Sequence, residues 1–171
     1  MKLGFEKKRI KEYLLYLGII VLGIFLDQLT KFLAVRFLKD GDSIKILGDF
    51  LELEYAENRG MAFGMMENSR WVFMLVSTVA ILVMLGYIFL VKNQPPLYLI
   101  AVSVIASGGI GNMIDRTALG YVVDFVSVEY FAIFNGADSF VCIGAGLLIL
   151  ALIIDIVKES KAAKANNEKK D

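Results

Sequence analysis

Histidine is absent from this 171-residue sequence and cysteine occurs once, at Cys142. His-bearing triads, Cys–His pairs, zinc-bound water of the usual ligand type and an internal disulfide are therefore excluded. What remains is carboxylate acid–base chemistry, with a Ser–Lys pair as its competitor. Asp27, Asp115, Asp124 and Asp138 stand in or beside apolar sequence, in company with Lys31, Asn112, Arg116 and Asn135. Asp27 and Lys31 are i,i+4, Gly108, Asn112 and Arg116 form an i+4 row, and Asn135 and Asp138 are i,i+3. On helices each set shares one face. Two carboxylates brought to one site cannot both ionise cheaply, so one proton shared between them supplies an acid and a base together. That chemistry calls for no metal and no cofactor.

Such groups need elements to hold them. Hydrophobic residues make up 57% of the chain and the mean hydropathy is +0.65, more apolar surface than a small soluble domain hides. The bilayer must be the solvent. A first span is expected over 12–35, interrupted by Asp27 and Lys31. Basic residues before an apolar run also describe a secretory signal, but no small-x-small cleavage site follows Leu26 and the apolar pattern continues from Phe32 to Val35. The segment therefore reads as an uncleaved helix. Residues 71–91 carry no charge and make the clearest span. After a turn at 92–96, whose prolines suit a helix start, 97–116 make a third and 135–157 a fourth. The charged remainder, 158–171, reads as frayed helix or disorder.

Outside the spans, 36–70 alternates apolar and polar residues through Ile44–Ile46 and Leu51–Tyr55 around Gly48-Asp49, as a β-hairpin does. The segment 117–134, rich in Val, Phe and Tyr, reads as further strand. The expected fold class is an all-α polytopic membrane protein, one domain over 1–171, with four transmembrane helices and a small extracytoplasmic β-rich region. Basic residues crowd 1–11 and 158–171, which places both termini in the cytoplasm and Trp71 at the outer interface.

That topology delivers Asp27 and Lys31, then Asn112, Asp115 and Arg116, then Asn135 and Asp138 to one layer near the outer surface, with Asp124 on the loop between the last two spans. A charge in the apolar region costs about 2.5–3.5 kcal/mol on insertion scales, so these groups should face one another. Each has a plainer reading. Asp27–Lys31 suits a buried, fold-specifying ion pair as well as a catalytic one. Asp115 could instead mark an aqueous helix end, and Asp124 alone would be a loop aspartate and Asp138 alone a helix N-terminal acid, but their joint arrival beside Asn112, Arg116 and Asn135 favours a shared site. Asp155 reads as interfacial and Cys142 as filler. The small residues Ser103, Ser107 and Gly111 would admit a neighbouring helix closely. Three alternatives to a carboxylate enzyme stand: a proton-coupled transporter, disfavoured because the polar groups lie at one depth; a non-enzymatic scaffold; and a Ser–Lys protease using Lys31.

Read together, the segments Asp27–Lys31, Asn58–Phe63, Gly111–Arg116, Val123–Phe125 and Phe134–Ser139 resemble one family, the bacterial lipoprotein signal peptidases (signal peptidase II). The likeness runs from the first span to the fourth. It implies an aspartic endopeptidase of the bacterial cytoplasmic (inner) membrane that cuts the signal peptide from a prolipoprotein, just before a cysteine carrying a diacylglyceryl group. It implies Asp124 and Asp138 as the catalytic pair. Asp27, Lys31, Asn58, Gly108, Asn112, Arg116, Asn135 and Ala137 would line the pocket or support the pair, and Arg59 and Asp115 lie within the same motifs. The partners implied are diacylglyceryl-modified prolipoproteins and membrane lipid, with no nucleic acid and a monomeric chain. Met61 and Gly136 depart from the family pattern, in which a smaller and a bulkier residue respectively are expected.

Overall fold

The computed structural model describes residues 2–60, 70–91 and 94–167; Met61 and its neighbours, the first residues of the 92–96 turn and the last four residues lie outside them. The elements are α1 (Lys2–Leu38), β1 (Ile44–Leu47), β2 (Leu51–Asn58), α2 (Arg70–Leu90), α3 (Pro96–Ala118), β3 (Val122–Val128), β4 (Ile133–Phe134) and α4 (Gly136–Asn167). α1 and α4 extend past the expected spans at their charged ends. No proline falls within α1, and neither proline nor glycine follows Gly146 in α4, so helix continues where the apolar pattern has stopped.

Among the described residues, three helical segments are long and apolar enough to cross a membrane: Ile10–Leu38, Pro96–Ala118 and Gly136–Lys164. The apolar stretch of α2, Met74–Leu90, is shorter. The whole of α2 runs 21 residues, Arg70–Leu90, and carries no charge after Arg70. The helices present apolar surfaces: Leu14 and Phe25 of α1, Leu75 and Leu82 of α2, Ile114 of α3, and Ile149 and Ile153 of α4 are exposed. In water such a surface would aggregate; in lipid it is solvated, while helices keep their backbone bonds internal.

Packing is densest between α3 and its neighbours α4 and α1, and small residues set it. A Cβ on Gly108 would lie 2.3 Å from the Ala137 carbonyl oxygen of α4. One on Gly111 would lie 2.4 Å from Asp27 Oδ2 of α1, and one on Gly23 2.4 Å from Ser107 Oγ. Ser103 and Ser107 turn their hydroxyls back to the Leu99 and Val104 carbonyls of their own helix, so neither leaves a buried donor unbonded. At one end of the bundle Tyr16, Ile20, Ile88, Leu99 and Val102 form an apolar core joining α1, α2 and α3.

At the other end sits the sheet, antiparallel and four-stranded in the order β1-β2-β3-β4. Ala34, Leu38 and Val123 pack it against α1. The hairpin and the further strand expected from sequence are both present, but β2 runs on to Asn58, where it pairs with Val122. Asn58 and Asp124 then become diagonal neighbours across the β2–β3 ladder, within side-chain reach.

The α3–α4 contact generates a stability prediction. Gly108→Ala puts a methyl into a backbone carbonyl that cannot rotate away, and should cost about 1–3 kcal/mol. Gly146, whose Cβ would meet nothing within 4 Å, is the control. Thermal unfolding in detergent should fall for Gly108→Ala and hold for Gly146→Ala; equal transitions would contradict the close crossing.

Candidate active site

Lys31 joins three acceptors. Its side chain is 4% exposed, and its ammonium reaches Asp27 Oδ2 at 2.9 Å, Asp115 Oδ2 at 3.0 Å and Asn112 Oδ1 at 2.8 Å. Three N–H donors meet three acceptors. Each carboxylate has further partners. Asp27 Oδ1 accepts the Ala137 backbone N–H at 2.8 Å, and Asp115 Oδ2 accepts the Val123 N–H at 3.0 Å. One ion cluster therefore ties α1 to α3, to β3 and to the first turn of α4. Asp115 is 3% exposed, so it does not mark an aqueous helix end as its position in sequence suggests.

Gln28 completes this cluster and was given no role by sequence reasoning. Its amide nitrogen lies 2.9 Å from Asp115 Oδ1, 3.2 Å from Asp27 Oδ2 and 3.2 Å from the Gly111 carbonyl oxygen. It thus bridges two carboxylates that would otherwise repel. The signal was present in the sequence: a lone amide inside an apolar span, adjacent to Asp27.

From this cluster a chain of side-chain amides runs to Asp124 and Asp138. Asn112 Oδ1 accepts from Lys31 while its Nδ2 donates to Asp138 Oδ1 at 2.8 Å. Asn135, wholly buried, donates from Nδ2 to Asp124 Oδ1 at 2.6 Å and to Asn112 Oδ1 at 3.1 Å. Asn135 also caps α4. Its Oδ1 accepts the Asp138 N–H at 3.0 Å, and its own N–H donates to Asp138 Oδ2 at 3.2 Å, a reciprocal capping box. Asn58 supplies the fourth donor, Nδ2 to Asp124 Oδ2 at 2.9 Å, and accepts the Gly60 N–H at 3.0 Å. Among the described residues, every oxygen of the two aspartates thus accepts at least one N–H bond from an uncharged donor.

Asp124 is almost fully buried. Burial pushes its carboxyl above the usual carboxylate range, against the pull of the Asn58 and Asn135 bonds, and the nearby Asp138 charge adds to the rise. Asp138 is half-buried. Arg116, also half-buried, feels the charges of Asp138, Asp124 and Asp115.

The other expected residues divide. Gly108 and Ala137 are the helix crossing and carry no chemistry of their own. Arg59 turns away from the two aspartates: its guanidinium pairs with Glu57 at 2.8 Å and lies 5.4 Å from the Tyr121 ring centroid, with 66% of the side chain exposed. At Gly136 a Cβ would meet Thr30 and Asp27 at ordinary contact distances of 3.4 Å and more, so the departure from the family pattern relieves no clash. Cys142 is exposed on α4.

Comparison with known proteins gives consistent relatives. The family Signal peptidase (SPase) II matches residues 19–154. A lipoprotein signal peptidase of Clostridium tetani is 44% identical over 140 residues, 79% of this chain and 90% of its own length. One of Halalkalibacterium halodurans is 37% identical over 158 residues, 90% of this chain and 99% of its own. Two solved structures, each described as a bacterial membrane enzyme determined by the in meso method, superpose with TM-scores of 0.73. They are 31% and 30% identical, spanning 82% and 80% of this chain and 88% and 91% of theirs.

Removal of the Lys31 charge tests the cluster. Lys31→Met leaves Asp27 and Asp115 facing each other without a cation and should cost about 3–5 kcal/mol. Adding Asp115→Asn to that variant should recover part of the loss, measured by thermal unfolding in detergent. A Lys31→Met protein as stable as wild type would contradict the shared ammonium.

Proposed function

This chain belongs to the signal peptidase II family, and we propose that it is an aspartic endopeptidase cutting signal peptides from diacylglyceryl-modified prolipoproteins, with Asp124 and Asp138 as its catalytic pair. The observation that carries the proposal is the donor set around these two side chains. Four N–H groups, from Asn58, Asn112, Asn135 and the Asn135 backbone, hold all four carboxylate oxygens. Fixed orientation of two neighbouring carboxylates, at the boundary between the helices and the sheet, is what water-activating catalysis requires.

In this reading one carboxylate takes a proton from a bound water. The water oxygen attacks the scissile carbonyl carbon, and the other carboxyl gives its proton to the carbonyl oxygen. The tetrahedral species then collapses as the C–N bond breaks, the amine leaving with a proton from the pair. No covalent intermediate forms. Arg116, close enough to feel both charges, steadies the net negative charge of the pair.

The membrane arrangement belongs to the same proposal. α1, α2, α3 and α4 all cross the bilayer of a bacterial cytoplasmic membrane, with both termini in the cytoplasm and the sheet at the outer face. The basic residues flanking α1 and α4 support this orientation. The substrate's signal helix and acyl chains would lie in lipid, with the bond before its lipidated cysteine level with the Asp124–Asp138 layer. Concentration of the polar groups in that layer also favours a peptidase over a transporter, which needs polar sites at several depths.

Cleavage of a diacylglyceryl-modified precursor peptide tests the reading. Asp124→Asn and Asp138→Asn, at matched folded yield, should each lose on the order of 10²–10⁴-fold in turnover. Wild type should leave the unlipidated precursor uncut. Full activity in either variant would overturn the two-aspartate assignment, and a wild type inactive in a validated assay would overturn the peptidase.

A further inference from the structure

The two aspartates sit in unequal surroundings. Asp138 is the third residue of α4, at the N-terminus of a 32-residue helix whose aligned peptide dipoles favour negative charge there. Its Oδ2 accepts a backbone N–H of the cap, and its Oδ1 accepts from Asn112. That amide is itself polarised, because its oxygen accepts from the Lys31 ammonium and from Asn135. Hydrogen bonds in such a chain strengthen one another. Asp124 stands on a strand, where no helix terminus supports a charge. Its donors are the neutral amides of Asn58 and Asn135, it is 2% exposed, and burial pushes its carboxyl upward. Asp138 is also the more accessible of the two to water.

We infer that the catalytic pair is asymmetric at rest: Asp138 is the ionised base, Asp124 holds the shared proton, and Lys31 fixes this order through Asn112. The inference rests on the two-aspartate reading above and assigns the roles which that reading leaves open. Asp138 accepts a proton from water as the water oxygen bonds to the scissile carbon, and Asp124 passes its proton to the carbonyl oxygen. On collapse the Asp138 proton goes to the departing amine nitrogen, and a hydroxyl proton of the tetrahedral species returns to Asp124. The sum is peptide plus water giving acid plus amine, with the starting state restored.

The other charges facing the pair do not reverse this order. From α1, Asp27 is paired with Lys31, and from α3 Asp115 is paired with the same ammonium; the Lys31 charge also reaches Asp124 and favours its ionised form, but burial outweighs it and the Asp124 carboxyl is still pushed upward. Arg116 of α3 acts on both aspartates and on Asp138 most strongly. From β2, Glu57 and Arg59 neutralise each other at 2.8 Å. β4 carries no charge.

The pH dependence of kcat/KM separates the roles, since its acidic limb follows the base and its alkaline limb the acid. Asn112→Ala removes the donor that favours charge on Asp138, so the acidic limb should move to higher pH by about one unit while the alkaline limb holds. Asn58→Ala removes a donor that favours charge on Asp124, so the alkaline limb should move up by a similar amount while the acidic limb holds. The opposite pairing of variant and limb would overturn the assignment yet leave the two-aspartate mechanism standing. If neither variant moved either limb, the assignment through these amides would fail, while loss of turnover in Asp124→Asn and Asp138→Asn would still uphold the two-aspartate mechanism. Should Asn112→Ala not fold, Asn58→Ala decides alone, because the limb that it moves identifies the role of Asp124.

Discussion

A single ammonium surrounded by three acceptors in an apolar bundle is the constraint on which the rest depends. Lys31 cannot be solvated where it sits, and neither can Asp27 or Asp115. Their mutual bonds make each tolerable, but only while α1 and α3 remain in register. Because Asp27 also holds the Ala137 N–H and Asp115 the Val123 N–H, that register fixes the start of α4 and the start of β3. Those two points carry Asp138 and Asp124. The positions of the two candidate catalytic carboxylates thus follow from a charge cluster that contains neither of them.

Close approach makes this possible. The bonds across α1, α3 and α4 require backbones nearer than Leu- or Phe-sized side chains allow, and Gly23, Gly108, Gly111 and Ala137 supply the room. Gly111 is the clearest case, since its missing Cβ is the space that Asp27 Oδ2 occupies. Polar and packing requirements therefore coincide on α3, where Gly108, Gly111, Asn112 and Asp115 lie within two turns. The sheet adds a further element, with Asn58 at the end of β2 bonded to Asp124 two places along from its ladder partner Val122.

Much of this was legible in the sequence because membrane burial makes polar residues informative. Asp27–Lys31 spacing puts the two on one helix face, and the structure has them bonded at 2.9 Å. The Ser103–Ser107–Gly111 row anticipates the contact with α1. Other features were not legible, for physical reasons. Asp115 lies one residue before Arg116 at the end of an apolar run, a position that sequence cannot distinguish from a helix end in water; only the fold of β3 over it shows that it is buried. Gln28 has no charge to flag it, and its three acceptors come from α1 itself and from more than 80 residues away. Arg59 adjoins Asn58 in sequence but lies just past the end of β2, and the two side chains part, Asn58 to Asp124 and Arg59 to Glu57 and Tyr121.

The central claim is that a carboxylate pair activates water directly, with no acyl-enzyme. Cleavage of the lipidated precursor in ¹⁸O-enriched water containing hydroxylamine tests it, with the released signal peptide analysed by mass. Direct attack predicts a free C-terminal carboxylate carrying one ¹⁸O, and no hydroxamate at any hydroxylamine concentration that leaves turnover intact. A hydroxamate that grows with hydroxylamine would reveal a covalent intermediate and contradict the role given to Asp124 and Asp138.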